Sequence, residues 1–181
     1  MRNYEAESAD SPEVDETRET EKQSTRPEHF SSTYTLKPNE EYDSNQYHYE
    51  TDSRGRITRC EGTLRLEDGK RNTDHQTRAG GPDRLESDQG GHLIARRFGG
   101  SEKIDNLVPM DKDLNNGEYK ELENDWEKAL ERGDTVDVQI RCRYSGDSQR
   151  PDSFVVKYKI TDENGFSRYE TKVLKNGKNG G

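Results

Sequence analysis

The sequence has no long apolar run. Hydrophobic residues make up only 25% of its 181 positions, and nowhere do they gather into the roughly 20 consecutive residues that a membrane-crossing helix needs. No membrane partner is therefore expected. Met1 is followed by Arg2, Asn3, Tyr4 and Glu5, which is not the apolar core of a secretory signal. If the domain is exported, the signal is expected on a part of the protein outside this sequence. Cysteine is scarce as well, with Cys60 and Cys142 alone, and no Cys/His spacing of the metal-binding kind exists. Val136, Val138, Ile140, Cys142 and Tyr144 alternate along one strand face. Cys142 therefore reads as a core thiol, with a single Cys60–Cys142 disulfide as the alternative. Positive charge is in deficit: 29 Lys and Arg against 38 Asp and Glu give a net charge of −9. That balance argues against a protein whose whole surface binds nucleic acid. No helix-turn-helix, zinc finger or other base-reading element is present, and no internal repeat.

The shortage of aliphatic residues is greatest in residues 1–40, which hold ten acidic and five basic residues among Ser, Thr and Pro. This segment is read as a flexible acidic linker, in which His29-Phe30 and Tyr34-Thr35-Leu36 offer a short strand able to dock. Residues 41–176 are read as the folded domain and 177–181 as a frayed tail. Within the domain, Tyr47–Thr51 and Arg56–Cys60 flank the turn Asp52-Ser53-Arg54-Gly55 and predict a hairpin. Thr63–Leu66 predicts a further strand, and residues 67–90 read as a long polar loop, a length usually reserved for function or disorder. Tyr119, Leu122, Trp126, Ala129 and Leu130 predict one main helix from Asn115 to Arg132, with Asn115 or Asn116 as N-cap and Gly133 as stop. Thr135–Tyr144, Ser153–Ile160 and Ser167–Leu174 predict three strands.

The chemistry centres on Asp88-Gln89-Gly90-Gly91-His92-Leu93-Ile94-Ala95. The glycine pair allows a tight turn and close approach of a large ligand. The apolar run anchors the residues after it, so His92 sits where an exposed turn meets a buried element. Ile104–Pro109 is a second apolar run carrying Asn106, and Leu114-Asn115-Asn116-Gly117 leads into the helix. An imidazole on the strand side and an amide on the helix side can then face one cleft. Arg71, Arg78, Arg84, Arg96 and Arg97 fall in a short span, giving a local basic patch on an acidic protein.

Four blocks, DQGGHLIARRFGG (88–100), IDNLVPM (104–110), LNNGEYKELENDW (114–126) and RPDSFVVKYKI (150–160), resemble the DNA/RNA non-specific endonucleases of the ββα-metal (His-Me finger) superfamily. The likeness is greatest to nuclease toxin domains at the C-termini of bacterial polymorphic toxins, including type VII-secreted ones, and extends over about residues 42–176. It implies an α+β fold with a mostly antiparallel sheet, a ββα-metal core and one main helix. It implies hydrolysis of DNA, and of RNA as a second substrate, to products with 5′-phosphates. His92 would activate water, a task that suits a group titrating near neutral pH. Asn115 would hold Mg²⁺, with Mn²⁺ as a substitute; on residue chemistry alone it reads as a helix cap. Asn106 would support the metal's water shell or the loop, and Glu123 would accept hydrogen bonds from metal-bound water. Arg71 would stabilise developing phosphate charge. The family's commoner D-R-G-H motif is here Gln89-Gly90-Gly91-His92, so its arginine is absent, and Arg78, Arg84 and Arg97 are the candidates for binding substrate. His29, His48 and His75 are read as structural. The resemblance further implies a secreted toxin domain, monomeric when free, acting in the target-cell cytoplasm and blocked by a cognate immunity protein. A catalytically inactive binding module on the same scaffold is the alternative, and a sequence-specific nuclease a weaker third.

Overall fold

The computed structural model describes residues 26–67 and 71–177. The linker expectation over residues 1–25 and the tail expectation over 178–181 lie outside the described residues. Six antiparallel strands make the main sheet, in the order β10-β9-β8-β5-β4-β3. They are β3 (Glu41–Ser44), β4 (Tyr47–Thr51), β5 (Ile57–Thr63), β8 (Thr135–Arg143), β9 (Ser153–Thr161) and β10 (Ser167–Lys175). Alternation along β8 buries Val136, Val138, Ile140 and Cys142 on one face and turns the other to solvent, as expected for a sheet covered on one side. Cys60 and Cys142 are free thiols in that core.

The covered face carries a smaller unit: β6 (Asp88–His92) paired antiparallel with β7 (Leu107–Asp111), then α2 (Lys112–Asn116) and α3 (Glu118–Glu131). Helix α3 presents Tyr119, Leu122, Trp126 and Ala129 to the core. Trp126 meets Tyr158 edge-on at 5.5 Å, and Tyr119 meets Phe154 at 6.2 Å. This is the α+β, ββα arrangement that the resemblance implies.

Four local expectations differ. The hairpin β1 (Phe30–Ser32) and β2 (Thr35–Leu36) packs onto the domain, burying Phe30 and Leu36, and His29 Nε2 lies 2.9 Å from Asp105 Oδ2. The packed unit thus begins before the expected boundary at Glu41, because two apolar side chains and one ring suffice to hold the segment. Thr63–Leu66 is not a separate strand. β5 pairs with β4 on one side and β8 on the other, which carries it unbroken to Thr63. The polar stretch 67–90 contains α1 (Thr73–Arg78) and a 3₁₀ turn, Gly81–Asp83. Asn72 caps α1 by accepting from His75 N, and the buried His75 ring accepts from Ile104 N at 3.0 Å. Six residues carry no readable apolar stripe, so tertiary contacts stabilise this helix. Finally, the expected single helix is two. Asp111, not Asn115, is the N-cap, and the chain breaks at Gly117 (φ −110°, ψ −110°).

The two units are joined by a buried ion pair. Arg150 in the β8–β9 connection donates to both carboxylate oxygens of Asp88, at 2.7 and 2.9 Å, and to Asn176 O at 2.8 Å. The Asn176 side chain is fully buried; it donates to Pro109 O and Pro151 O and accepts from Asp111 N. Removing one member of such a pair leaves an uncompensated buried charge, worth about 3–5 kcal/mol. Arg150→Met is therefore expected to lower the free energy of denaturant unfolding by about 3 kcal/mol. Arg54→Met, which breaks the solvent-exposed pair to Asp147, should cost under about 1 kcal/mol. Equal effects would show that the Asp88–Arg150 pair does not hold the units together.

Candidate active site

His92 ends β6, opposite Leu107 on β7, and Leu93 and Ile94 immediately after it are fully buried. The glycines before it serve a different purpose from the one expected. They lie within the strand rather than in a turn. A Cβ on Gly90 would come within 2.3 Å of Gln76 O, so the residue lets α1, not a ligand, press against the strand. Two arginine bonds reinforce that contact: Arg84 donates to Gln76 O and to Asp88 O.

The connection from His92 to β7 is fastened from beneath by polar groups of the core. Asn106 is fully buried. Its Oδ1 accepts from Ile94 N and Tyr49 Oη, and its Nδ2 donates to Ile94 O and Ser101 O. All four hydrogen-bonding positions of the amide are engaged. Of the two supporting roles expected for Asn106, the loop role is the one it has; it does not line the cleft, and its catalytic assignment is corrected accordingly. Tyr47 Oη, Tyr42 Oη and Tyr119 Oη donate to the carbonyls of Phe98, Asp105 and Leu93 respectively, so three more hydroxyls pin the same connection.

Above it opens a cleft of about 450 Å³ whose lining includes Arg71, Arg84, Gln89, His92, Arg96, Arg97, Asn115, Lys120 and Glu123. The strand-side imidazole and the helix-side amide thus share one cavity. Five cations and one carboxylate line it, although the protein as a whole is acidic. A second cleft, of about 480 Å³, is no smaller, but its lining carries Asp43, Glu67, Glu102 and Asp105, a sign that repels polyanions. Among the described residues, the one His/carboxylate cluster compact enough for a metal is Glu41, His48 and Glu50. It lies outside the cleft, with His48 held by Asp43 and Glu50 3.6 Å from Arg59.

Burial, with Arg96 and Arg71 adding positive charge, pushes the His92 pKa down to about 4. Its Nε2 is buried and has no hydrogen-bond partner among the described residues. A buried polar atom left unpaired costs free energy and calls for an explanation such as a catalytic role. Glu123 moves the other way. Burial raises its carboxyl to about 7, against the opposing charges of Arg97 and Lys120. Asn115 Nδ2 donates to Gln89 Oε1 at 2.8 Å, which leaves Oδ1 as the acceptor end of the amide.

The arginines divide. Arg71 is exposed on the cleft wall. Arg97 lines the cleft but donates to Asn124 and Glu127 and stands 4.0 Å from Glu123. Arg84 lines it while clamping α1 to β6. Arg78 is not brought to the cleft and does not take the substrate-binding place expected for it there: it lies over the Tyr34 ring, 3.9 Å from Asp74, and lines a separate pocket with Tyr34, Pro82 and Pro109. Three lining residues do not stand out in the sequence as site residues. Lys120 lies three positions before Glu123 and so shares its helix face, a signal that was there to be read. Arg96 stands out only as part of a basic run, and nothing in the sequence marks Gln89.

Residues 38–162 match the family model described as DNA/RNA non-specific endonuclease. The chain belongs to that family. Among curated proteins, this endonuclease domain is 44% identical over 145 residues to the type VII secretion system protein EssD of Staphylococcus aureus strain USA300, and equally to that of strain NCTC 8325. The match covers 76% of this chain and 24% of the relative, so the chain spans about a quarter of the length of those proteins. Among solved structures, the fold is similar to that of the Sda1 nuclease with bound zinc ion, with a TM-score of 0.55 at 16% identity, over 72% of this chain and 76% of that one. At that identity the likeness concerns the fold.

A His whose folded pKa lies below its unfolded value stabilises the fold fully above about 6.5, and that contribution is lost as pH falls from there toward 4. The His92 Cε1–H resonance should accordingly titrate near pH 4. A midpoint near 6.5 would mean that the ring is solvated and that the cleft does not hold it neutral.

Proposed function

We propose that this member of the endonuclease family is a metal-dependent enzyme that hydrolyses phosphodiester bonds of DNA, with RNA as a second substrate, without sequence preference. The observation that carries the reading is the imidazole of His92, held neutral by burial on the lining of a cleft that carries five cations. The imidazole accepts a proton from a water molecule as that water attacks phosphorus. With its pKa near 4, the ring is ready as a base throughout the neutral range, although a pKa so low limits its driving force for proton abstraction. Arg71, Arg96 and Lys120 hold the phosphate oxygens and oppose the charge that accumulates on them in the transition state. Arg97, engaged with the α3 acids, orients Glu123.

The oxygen donors present, the Asn115 carboxamide and the Glu123 carboxylate, suit a hard divalent cation that keeps most of its waters. Asn115 Oδ1 would hold Mg²⁺, or Mn²⁺ in its place, with Glu123 accepting from its waters. When bound, the ion supplies charge to the phosphate and to the leaving 3′-oxygen. The zinc bound to the Sda1 nuclease belongs to that protein; a cleft with oxygen donors and one imidazole favours Mg²⁺ here.

Similarity to a type VII secretion protein supports a secreted toxin domain that acts in the cytoplasm of a target cell. The cleft lining is cationic on a protein whose net charge is −9, so a cognate immunity protein would present acidic groups there. The test is plasmid degradation by the purified domain with Mg²⁺, with EDTA, and with His92→Ala. Cleavage should stop in EDTA and fall by about 10²–10⁴-fold in the variant, the range for loss of a general base. Plasmid binding by the parent chain without Mg²⁺-dependent cleavage would overturn the enzymatic reading in favour of a binding module.

A further inference from the structure

We infer that Gln89 is a positioning residue that sets which end of the Asn115 carboxamide meets the cleft. This rests on the reading that Asn115 Oδ1 is the atom that holds the cation. An asparagine amide has one acceptor end and one donor end of nearly equal shape, and half a turn about its terminal bond exchanges them. Only the oxygen end can serve a cation; the NH₂ end repels it. The choice therefore depends on what the other end is bonded to, and that partner is Gln89 Oε1, 2.8 Å from Asn115 Nδ2.

Gln89 is well placed to act as a fixed reference. Its neighbour Asp88 is locked by Arg150, and its neighbour Gly90 is pressed against Gln76 of α1. The backbone between them has little freedom, while the exposed side chain reaches across to α2. Three residues further on, the same strand delivers His92, so β6 sets both the base and the orientation of the amide.

The partner is itself an amide. Both can turn together, so that Gln89 Nε2 donates to Asn115 Oδ1 and the oxygen is withdrawn from the cleft. The pair has two hydrogen-bonded arrangements, and one of them is competent. An acceptor-only side chain at position 89 holds the competent arrangement, a donor-only side chain holds the other, and an apolar one holds neither.

Mn²⁺ binding to the metal-free domain, without nucleic acid, is measured from the loss of the free-ion electron paramagnetic resonance signal. The variants are Gln89→Met, Gln89→Lys, Gln89→Glu and Asn115→Ala, with Thr77→Lys, also on the cleft lining, as a control for added positive charge. Gln89→Met should weaken binding about fivefold, the size of one neutral hydrogen bond. Gln89→Lys should weaken it beyond Thr77→Lys, and Gln89→Glu should bind at least as tightly as the parent. In steady-state cleavage, Gln89→Met should raise the Mg²⁺ concentration for half-maximal rate and leave kcat at saturating Mg²⁺ near the parent value, a split that general loosening of the fold would not give. If Asn115→Ala abolishes binding while Gln89→Met matches the parent and Gln89→Lys matches Thr77→Lys, the positioning role is wrong and the Asn115 reading survives. If Asn115→Ala binds like the parent, the Asn115 reading fails and this inference with it.

Discussion

Everything at the cleft depends on closing the connection between β6 and β7 over a packed core. That connection turns sharply after His92 and buries backbone N–H and C=O groups that no strand partner can satisfy. The Asn106 carboxamide satisfies three of them. It bonds both the N–H and the C=O of Ile94, together with Ser101 O, and receives the Tyr49 hydroxyl from the main sheet. Such a network is worth keeping only when every member is paired, and here each is. The result is a rigid platform in which the position of His92 is set by groups that never touch the cleft. Tyr42, Tyr47 and Tyr119 extend the same principle: each fills core volume with its ring and commits its one polar atom to a loop carbonyl.

The platform also accounts for the electrostatics. A histidine held by backbone on a tight connection cannot retreat into solvent, so burial and the nearby Arg71 and Arg96 keep it neutral. Glu123, buried one turn beyond Lys120, is raised for the same desolvation reason and takes its proton more readily than an exposed acid. One carboxyl and one imidazole thus have their proton affinities pushed past each other, so that the acid keeps its proton to higher pH than the imidazole, in a cavity whose lining is cationic although the protein is acidic. Overall charge was a poor guide to function here because the field at a cleft is set by the few groups that face it.

Much of this was legible in the linear sequence. The four motif blocks, the apolar stripe of α3 and the alternation of β8 carry the ββα core, the main helix and the strands beside it. His92, Asn115 and Glu123 are singled out by the resemblance of their motif blocks to the endonuclease family, and the fold brings all three to one cleft. Elsewhere the local signal was weak or pointed to something else. Helix α1 has no apolar periodicity, because His75 and Gly90 hold it through contacts with distant residues. The docked hairpin was legible only as two short segments, His29-Phe30 and Tyr34-Thr35-Leu36, able to dock; the acidic composition shared with the residues before it kept them assigned to the linker. Asn115 resembled a helix cap because Asp111, the cap, lies before an unexpected break at Gly117.

What the sequence determined by itself was the inventory: most of the strands and the main helix, which imidazole is set between a glycine pair and an apolar run, and which family those residues resemble. These depend on neighbours within a few positions, where periodicity and turn chemistry act. Only the tertiary structure decided how the functional groups are allotted. It sent Arg78 away from the cleft, committed Arg84 and Arg97 to other partners, sank Asn106 beneath the loop, and brought Gln89 and Lys120 to the cavity. Those outcomes depend on hydrogen bonds and burial between residues tens of positions apart, and a side chain's partners at that range are fixed by packing rather than by its place in the chain.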